Sequence, residues 1–211
     1  MISRSKMKQY PSIPNINSTN KAPYGEPCVG FYKYDGSNLR WEWNKKRGFY
    51  KYGSRTQLFD ESHEMFSQAI PIFQDTIAPT LIQIVKDNYK VDDFLCYTEF
   101  LGESSFAGWH DLSEEKKLIL LDVWIPRKGF IIPKTFNKMF SGNEWSPKVV
   151  YEGNFNKQLC EDVKSGKYDL DEGMMCKGVD NKGQQWMIKV KTQTYLDKLK
   201  NKYGNDWEKY V

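Results

Sequence analysis

The chain has 211 residues, and its 31 lysines and arginines exceed its 27 aspartates and glutamates by only four. This length allows one sizeable core, or at most two small ones, and the 15% aromatic content argues against disorder. The most apolar stretch, 118–125, is interrupted by Asp122, so no run long enough for a transmembrane helix is present. The mildly basic charge is compatible with a nucleic-acid partner but does not require one.

The cysteines and histidines indicate the cellular compartment and the kind of metal site to expect. The four cysteines are scattered without a C-x-x-C pair, which is typical of reduced thiols in a cytosolic protein. Only His63 and His110 could join them, so we expect no zinc site, and any catalytic metal should be a hard cation. The N-terminus carries no apolar signal segment. We therefore expect a cytoplasmic protein without a membrane partner, or one in the host-cell cytoplasm if the chain is viral.

The predicted elements, in chain order, begin with an extended lead-in over residues 1–25, which are polar and rich in Pro, Asn and Ser. Alternating apolar residues predict strands between Cys28 and Tyr52, with a turn at Asp35-Gly36. Apolar residues every three or four positions predict a helical region over 61–89, kinked or broken at Pro71 and Pro79. Four short strands and a last helix follow, at 94–101, 117–124, 174–178, 185–191 and 194–203. Strands and helices do not alternate regularly, so we predict a single α+β domain over residues 1–211.

The strongest local pattern is Lys33-Tyr34-Asp35-Gly36. Taken alone, Asp-Gly between two strand-like runs is equally typical of a two-residue hairpin turn. Further motifs that follow it in a fixed order along the chain favour a catalytic interpretation. The pattern resembles motif I of the covalent nucleotidyltransferases, the superfamily of ATP-dependent DNA and RNA ligases and capping guanylyltransferases. The five elements that this family places downstream resemble, in order, Ser54-Arg55, Glu99 within 97–102, Leu121 to Trp124, Glu172 to Met175, and Lys189 to Lys191.

The resemblance implies a fold, an activity and cofactors. It implies a nucleotidyltransferase fold with two antiparallel sheets and flanking helices around a nucleotide pocket. Ser37-Asn38, which follows Gly36, resembles the residues at this position in RNA ligases of the RNA ligase 2 type. Such an enzyme would use ATP with Mg²⁺ or Mn²⁺, form a lysyl-AMP intermediate and join 5′-phosphate and 3′-hydroxyl ends of RNA. The substrate could be a nicked duplex, a single strand or an RNA–DNA hybrid, and the oligomeric state is open.

The resemblance also implies roles for individual residues. Lys33 would be the nucleophile, which must be neutral to attack, and Lys189 and Lys191 would favour its neutral form and stabilise the α-phosphate. Glu172 would hold the metal ion, because a carboxylate beside a triphosphate needs a cation between them. The full set expected to bind ATP is Tyr32, Lys33, Asn38, Arg55, Glu99, Trp124, Glu172, Met175, Lys189 and Lys191. Arg40 and Arg47, which with Arg55 put three of the five arginines within 16 residues, would contact the nucleic acid.

Each role has a structural alternative. Lys189 and Lys191 could form a solvated strand face, and Glu172 a solvated loop carboxylate. Glu99 could pair with a lysine, Trp124 and Met175 could belong to the core, and the arginines could mark an exposed basic hairpin. The functional alternatives are a capping-type guanylyltransferase, a DNA ligase, or a nucleic-acid-binding relative without catalysis. Because only 20 residues follow Lys191, we expect neither the OB domain nor the helical C-terminal domain of larger relatives.

Overall fold

The computed structural model describes residues 7–102 and 114–210. The chain forms two compact units. The six-stranded unit comprises the described parts of Met1–Pro11, Asp35–Ile131 and Lys138–Pro147, and the four-stranded unit comprises Ser12–Tyr34, Ile132–Asn137 and the described part of Lys148–Val211. No helix in the described ranges is long and apolar enough to cross a bilayer. One domain over residues 1–211 stays a prediction.

The six-stranded unit is built on one antiparallel sheet with strand order β4-β3-β2-β5-β6-β7. Its strands are β2 (Ser37–Asn44), β3 (Gly48–Ser54), β4 (Leu58–Phe59), β5 (Asp93–Leu101), β6 (Lys117–Ile125) and β7 (Gly129–Phe130). One face forms an aromatic core, because alternate residues of each strand point the same way. Trp41 is fully buried there and stacks on Phe73 with ring centroids 4.0 Å apart.

Phe73 comes from a helical region that covers this core face. The region comprises α1 (Ala69–Ile72), a wider π-type turn (Phe73–Ile77) and α2 (Ala78–Asn88). Pro71 lies in the first turn of α1, where its missing N–H costs no hydrogen bond, and Pro79 lies in the first turn of α2, just after the π-type turn. The predicted helical region is therefore present but shorter, because residues 61–68 form turns.

The four-stranded unit carries an antiparallel sheet with strand order β10-β9-β1-β8. Its strands are β1 (Pro27–Lys33), β8 (Val149–Asn154), β9 (Gly173–Val179) and β10 (Gln185–Lys191). Helix α4 (Lys157–Lys164) contributes Leu159, Cys160 and Val163 to the core on one face, where they meet Cys176, Ile188 and Val190 of the strands. Helix α5 (Gln193–Tyr203) follows β10, and Thr192 caps it by accepting a hydrogen bond from the Tyr195 main chain. Helix α3 (Pro133–Phe140) lies between β7 and β8 in the chain.

Two antiparallel sheets with few helices confirm the predicted α+β class. The hairpin interpretation of Asp35-Gly36 is wrong, because β1 and β2 belong to different sheets and the turn connects those sheets. Gly36 is needed for close approach, since a Cβ there would lie 2.5 Å from the Phe100 carbonyl oxygen. The sequence pattern missed α3, β8 and α4, which are short and weakly apolar.

Candidate functional site

Lys33, Gly173 and Lys191 lie in one row across three neighbouring strands. Lys33 pairs with Gly173, which pairs on its other side with Lys191. Directly opposed residues of a sheet project from the same face, so both lysine side chains leave one face on either side of a residue without a side chain. Gly173 has φ +155°, and a Cβ there would lie 2.1 Å from the Val190 carbonyl oxygen. The backbone at this point therefore accepts only glycine.

Both lysines share the carboxylate of Glu172, the residue before that glycine. Lys33 Nζ lies 2.6 Å from Glu172 Oε2, and Lys191 Nζ lies 3.0 Å from Oε1. The side chains of Glu172 and Lys191 are each 4% exposed, and that of Lys33 is 17% exposed. The two oxygens of one carboxylate thus each contact a lysine ammonium group. The burial of this cluster rules out a solvated loop carboxylate at Glu172 and a solvated strand face at Lys191.

Residues adjoining this cluster fix the segment that carries Glu172. The Thr192 main-chain N–H donates to the Glu172 carbonyl oxygen at 3.0 Å, and the Thr192 hydroxyl donates to the Asp171 carbonyl oxygen at 2.9 Å. On the other side, the Tyr32 hydroxyl donates to the Asp171 carboxylate, and the Asp171 main-chain N–H donates to the same hydroxyl. Burial and this carboxylate raise the pKa of Tyr32 well above its usual range. Tyr32 was predicted to bind ATP. In the structure it precedes Lys33 in the chain and is hydrogen-bonded to Asp171, the residue before Glu172.

Lys189 and Met175 lie in the next row of the same face, where they pair with each other and Met175 pairs with Phe31. Both side chains are half-buried. The Lys189 main chain donates to the Pro14 carbonyl oxygen at 3.0 Å. Ile188 and Val190 point into the core as the alternation predicts. A fourth lysine of this face, Lys177, is buried with its ammonium 5.2 Å from the Phe31 ring centroid.

Sequence reasoning did not identify Asp171, Thr192 or Lys177. Asp171 immediately precedes Glu172, and Thr192 immediately follows Lys191, so adjacency to two motifs was the available signal. Lys177 follows Met175 at strand spacing, which was the signal for a shared face.

The remaining predicted residues belong to the six-stranded unit. Asn38 pairs directly with Glu99, and Trp124 pairs with Leu95, so these side chains share the face opposite the aromatic core. Asn38, Glu99 and Trp124 are all half-buried, which excludes a fully buried core position for Trp124. Arg55 is exposed just after β3.

The two arginines predicted to contact nucleic acid differ in environment. Arg47 is exposed in the turn after β2, with its guanidinium carbon 5.0 Å from the Tyr50 ring centroid. Arg40 is only 3% exposed and donates to the carbonyl oxygens of Ser54 and Met7, at 2.8 and 2.9 Å. Burial lowers the pKa of its guanidinium. Arg40 therefore holds main-chain groups of its own unit, in place of the strand contact expected from the sequence.

The described residues offer a metal ion one carboxylate ligand at this site, that of Glu172. Among residues 7–102 and 114–210, no group of three or more acidic, histidine or cysteine side chains could hold one. Glu172 is a single carboxylate, and Mg²⁺ and Mn²⁺ commonly bind through one or two carboxylates together with substrate phosphates. Of the two histidines, His63 contacts Gln57 and Phe66, and His110 lies outside the described residues.

Comparison with solved structures reveals similarity to an RNA ligase. The Naegleria gruberi RNA ligase, in a mutant form with AMP and Mn, superposes with a TM-score of 0.65 at 14% identity, over 91% of this chain and 58% of that chain. A second mutant form, with ATP and Mn, gives a TM-score of 0.63 at 15% identity over the same shares. The form with PPi gives 0.58 at 15% identity, over 92% and 58%.

This chain thus spans a little over half the length of those ligase structures. No protein-family model matches it, and no curated protein matches it. At this level of identity the likeness concerns architecture: the chain has the fold found in part of an RNA ligase.

Proposed function

We propose that the chain is an ATP-dependent RNA ligase that forms a covalent lysyl-AMP intermediate on Lys33. The observation that carries the proposal is the buried cluster in which Lys33 and Lys191 flank Gly173 and share the Glu172 carboxylate. The sequence places these residues in motifs that resemble those of the covalent nucleotidyltransferases, and the fold is that of an RNA ligase structure. The order of the motifs, the proximity of Lys33, Glu172 and Lys191, and the fold all support the proposed formation of lysyl-AMP.

The first step is nucleophilic attack by Lys33 on the α-phosphorus of ATP. The nitrogen–phosphorus bond forms while the bond to the leaving pyrophosphate breaks, and Lys33 must lose a proton for its lone pair to react. Glu172 Oε2 lies 2.6 Å from the nitrogen and is the group proposed to accept this proton. Lys191 competes for the same carboxylate, which weakens the hold of Glu172 on a charged Lys33. Lys189 and Lys191 would then balance negative charge at the α-phosphate.

Mg²⁺ or Mn²⁺ is the metal proposed to accompany ATP. A bound cation would neutralise charge on the pyrophosphate leaving group, and Glu172 is the protein group proposed to hold it. Arg55, Glu99, Trp124 and Asn38 remain the predicted contacts for ribose, base and strand end.

The later steps transfer AMP to an RNA 5′-phosphate and displace it with a 3′-hydroxyl. They require capture of a polynucleotide, for which Arg47 is an exposed cation. Because the chain spans 58% of the matched ligase structures, end joining is proposed separately from self-adenylylation. A panel of 5′-phosphorylated RNA, DNA and hybrid nicks and single strands tests it. Sealing of an RNA 5′-phosphate end supports the assignment, and sealing of DNA alone contradicts it.

The central experiment is incubation with labelled ATP and Mg²⁺ or Mn²⁺, followed by detection of a covalent protein–AMP band. We expect a band for the unaltered chain and none for Lys33→Ala. Lys21→Ala, which alters an exposed lysine of the same unit, should label normally. Labelling of Lys33→Ala would contradict the proposal.

The same assay separates the alternatives. Labelling by GTP and not by ATP would indicate a capping-type guanylyltransferase. Absence of any adduct, combined with RNA binding that Lys33→Ala leaves unchanged, would indicate a non-catalytic binding protein.

A further inference from the structure

Residues 7–10, which we name the N-terminal strap, lie on the face of the six-stranded sheet opposite the aromatic core, against a second apolar cluster that includes Leu95 and Tyr97. Two contacts fix the main chain of the strap. Arg40 donates from Nη1 to the Met7 carbonyl oxygen at 2.9 Å, and the Tyr97 hydroxyl donates to the Lys8 carbonyl oxygen at 3.3 Å. The Met7 side chain is 5% exposed and packs with Leu95 and Tyr97. The sequence predicted only an extended lead-in here, yet the strap is joined to the sheet residue by residue.

The last strap residue supplies a partner for a buried carboxylate. Asp122 is 2% exposed, and the Tyr10 hydroxyl donates a hydrogen bond to its Oδ2. The Tyr10 ring also packs against Tyr97 and Phe130, with centroids 4.9 and 5.9 Å away. Burial and the neighbouring carboxylate raise the pKa of Tyr10, which therefore remains a donor. Asp122 lies two residues before Trp124 on β6, so this bond fixes the strand segment that carries the tryptophan.

The other two strap side chains reach the residues predicted to contact the nucleoside. Lys8 Nζ lies 5.1 Å from the centroid of the Trp124 ring, a cation–π distance. Gln9 donates from Nε2 to the Arg55 main-chain oxygen at 3.2 Å. The strap thus contacts both Trp124 and Arg55, and it does so entirely within one unit.

These contacts favour a fixed support over a movable cover. If the strap left the sheet, the buried Arg40 guanidinium and Asp122 carboxylate would each lose a hydrogen-bond partner. Leaving a buried charged group short of partners is costly, so departure of the strap is strongly disfavoured.

The geometry points to the strap as a positioning element for nucleoside recognition: Tyr10 and Lys8 hold Trp124, and Gln9 holds Arg55, so the strap sets affinity for the nucleoside part of ATP. This inference rests on the proposed function. It adds that residues 7–10, outside all six motifs, determine ATP affinity without taking part in phosphoryl chemistry.

The test is equilibrium binding of ATP to the full chain in a Lys33→Ala background, which prevents adduct formation. Inorganic triphosphate serves as a second probe, because it carries the phosphates without the nucleoside. The variants are Tyr10→Phe, which keeps the ring, and Lys8→Met, which keeps the stem and removes the charge. Tyr24→Phe is the matched control, since Tyr24 is an exposed tyrosine of the other unit.

We expect Tyr10→Phe to weaken ATP binding roughly tenfold, as loss of a hydrogen bond to a charged group implies. Lys8→Met should weaken it roughly threefold, the scale of an exposed cation–π contact. Triphosphate affinity should not change, and Tyr24→Phe should match the parent for both probes. A strap that only stabilised the fold would change both probes together. With Lys33 present, the variants should raise KM for ATP and leave the adenylylation rate at saturating ATP unchanged.

Three results with the variants would overturn the inference. They are unchanged ATP affinity in both variants, equal losses for ATP and triphosphate, and tighter ATP binding by Lys8→Met, which would show that the strap competes with the nucleotide. Failure of ATP to bind the parent would overturn it as well. Normal ATP binding by a Lys33 chain that forms no adduct would overturn the proposed function alone, because the affinity comparison does not depend on chemistry.

Discussion

The two sheets bury charged residues in different ways. In the four-stranded sheet, Glu172 and Lys191 are buried against each other, and Lys33 joins them through the same carboxylate. In the six-stranded sheet, Arg40 donates to two main-chain oxygens and Asp122 accepts from a tyrosine hydroxyl. The first arrangement brings charged groups of opposite sign together, while the second gives each charged side chain neutral hydrogen-bond partners.

Under the proposed function, the difference separates chemistry from support. Ion pairs in a buried cluster are costly to desolvate, and such clusters are common at functional sites, which fits the proposed attack on a phosphate. Neutral partners hold a charged side chain in place without offering it to a ligand, which fits a scaffold. Four substitutions, in order of decreasing effect on stability, test this contrast.

Trp41→Ala should have the largest effect on stability. It removes a fully buried indole that stacks on Phe73 and donates to the Thr98 hydroxyl at 2.8 Å. We expect a loss of about 4 kcal/mol in the free energy of unfolding, measured by chemical denaturation. Hydrogen exchange should accelerate more in β2 and β5 than in β9 and β10. Trp207→Ala, at a half-buried position near the C-terminus, is the control and should cost far less. Equal acceleration in both sheets would contradict separate cores.

Glu172→Gln should cost about 3 kcal/mol, because the buried Lys191 and the half-buried Lys33 both lose a charged partner. Lys191→Met added to this variant should recover part of the loss by removing one of them. Adenylylation should stay low in both, since the proton acceptor near Lys33 is gone. Glu161→Gln disrupts only an exposed ion pair with Lys164 and should be neutral. Full stability of Glu172→Gln would show that the cluster is not closely coupled.

Arg40→Met should cost about 2 kcal/mol, because the Ser54 and Met7 carbonyl oxygens lose a buried donor. Arg47→Met, at an exposed position, should leave the unfolding free energy nearly unchanged. RNA affinity should respond in the opposite order: Arg47→Met should weaken it and reduce its salt dependence, while Arg40→Met should change it little. If Arg40→Met weakened RNA binding more than Arg47→Met, Arg40 would have to contact the strand after all.

Tyr32→Phe should have the smallest effect, a loss of about 1 kcal/mol, because it removes one hydrogen bond at a half-buried site. The informative readout is the rate of lysyl-AMP formation at saturating ATP. We expect it to fall several-fold, since Tyr32 holds the segment that places Glu172 beside Lys33. Asp171→Asn keeps an acceptor for the hydroxyl and should retain more activity. An unchanged rate in Tyr32→Phe would assign this bond to stability alone.

Much of the fold follows from local patterns. The strand predicted at 94–101 matches β5 to within one residue, and the strand predicted at 185–191 coincides with β10. Such patterns report which face of a strand is buried, so they also placed Ile188 and Val190 in the core. They failed for α4, whose apolar residues Leu159, Cys160 and Val163 occupy only one turn. They also failed at Asp35-Gly36, where a turn signal gives no information on which strands it joins.

The sequence by itself determined most of the longer strands, the order of the motifs and the identity of Lys33 as the candidate nucleophile. The tertiary structure decided that Lys33 and Lys191 share Glu172, that Arg40 is buried, and that residues 7–10 support Trp124. The physical reason is sequence distance. Lys33 and Glu172 are 139 positions apart and Tyr10 and Asp122 are 112 apart, so only strand register and packing bring them into contact.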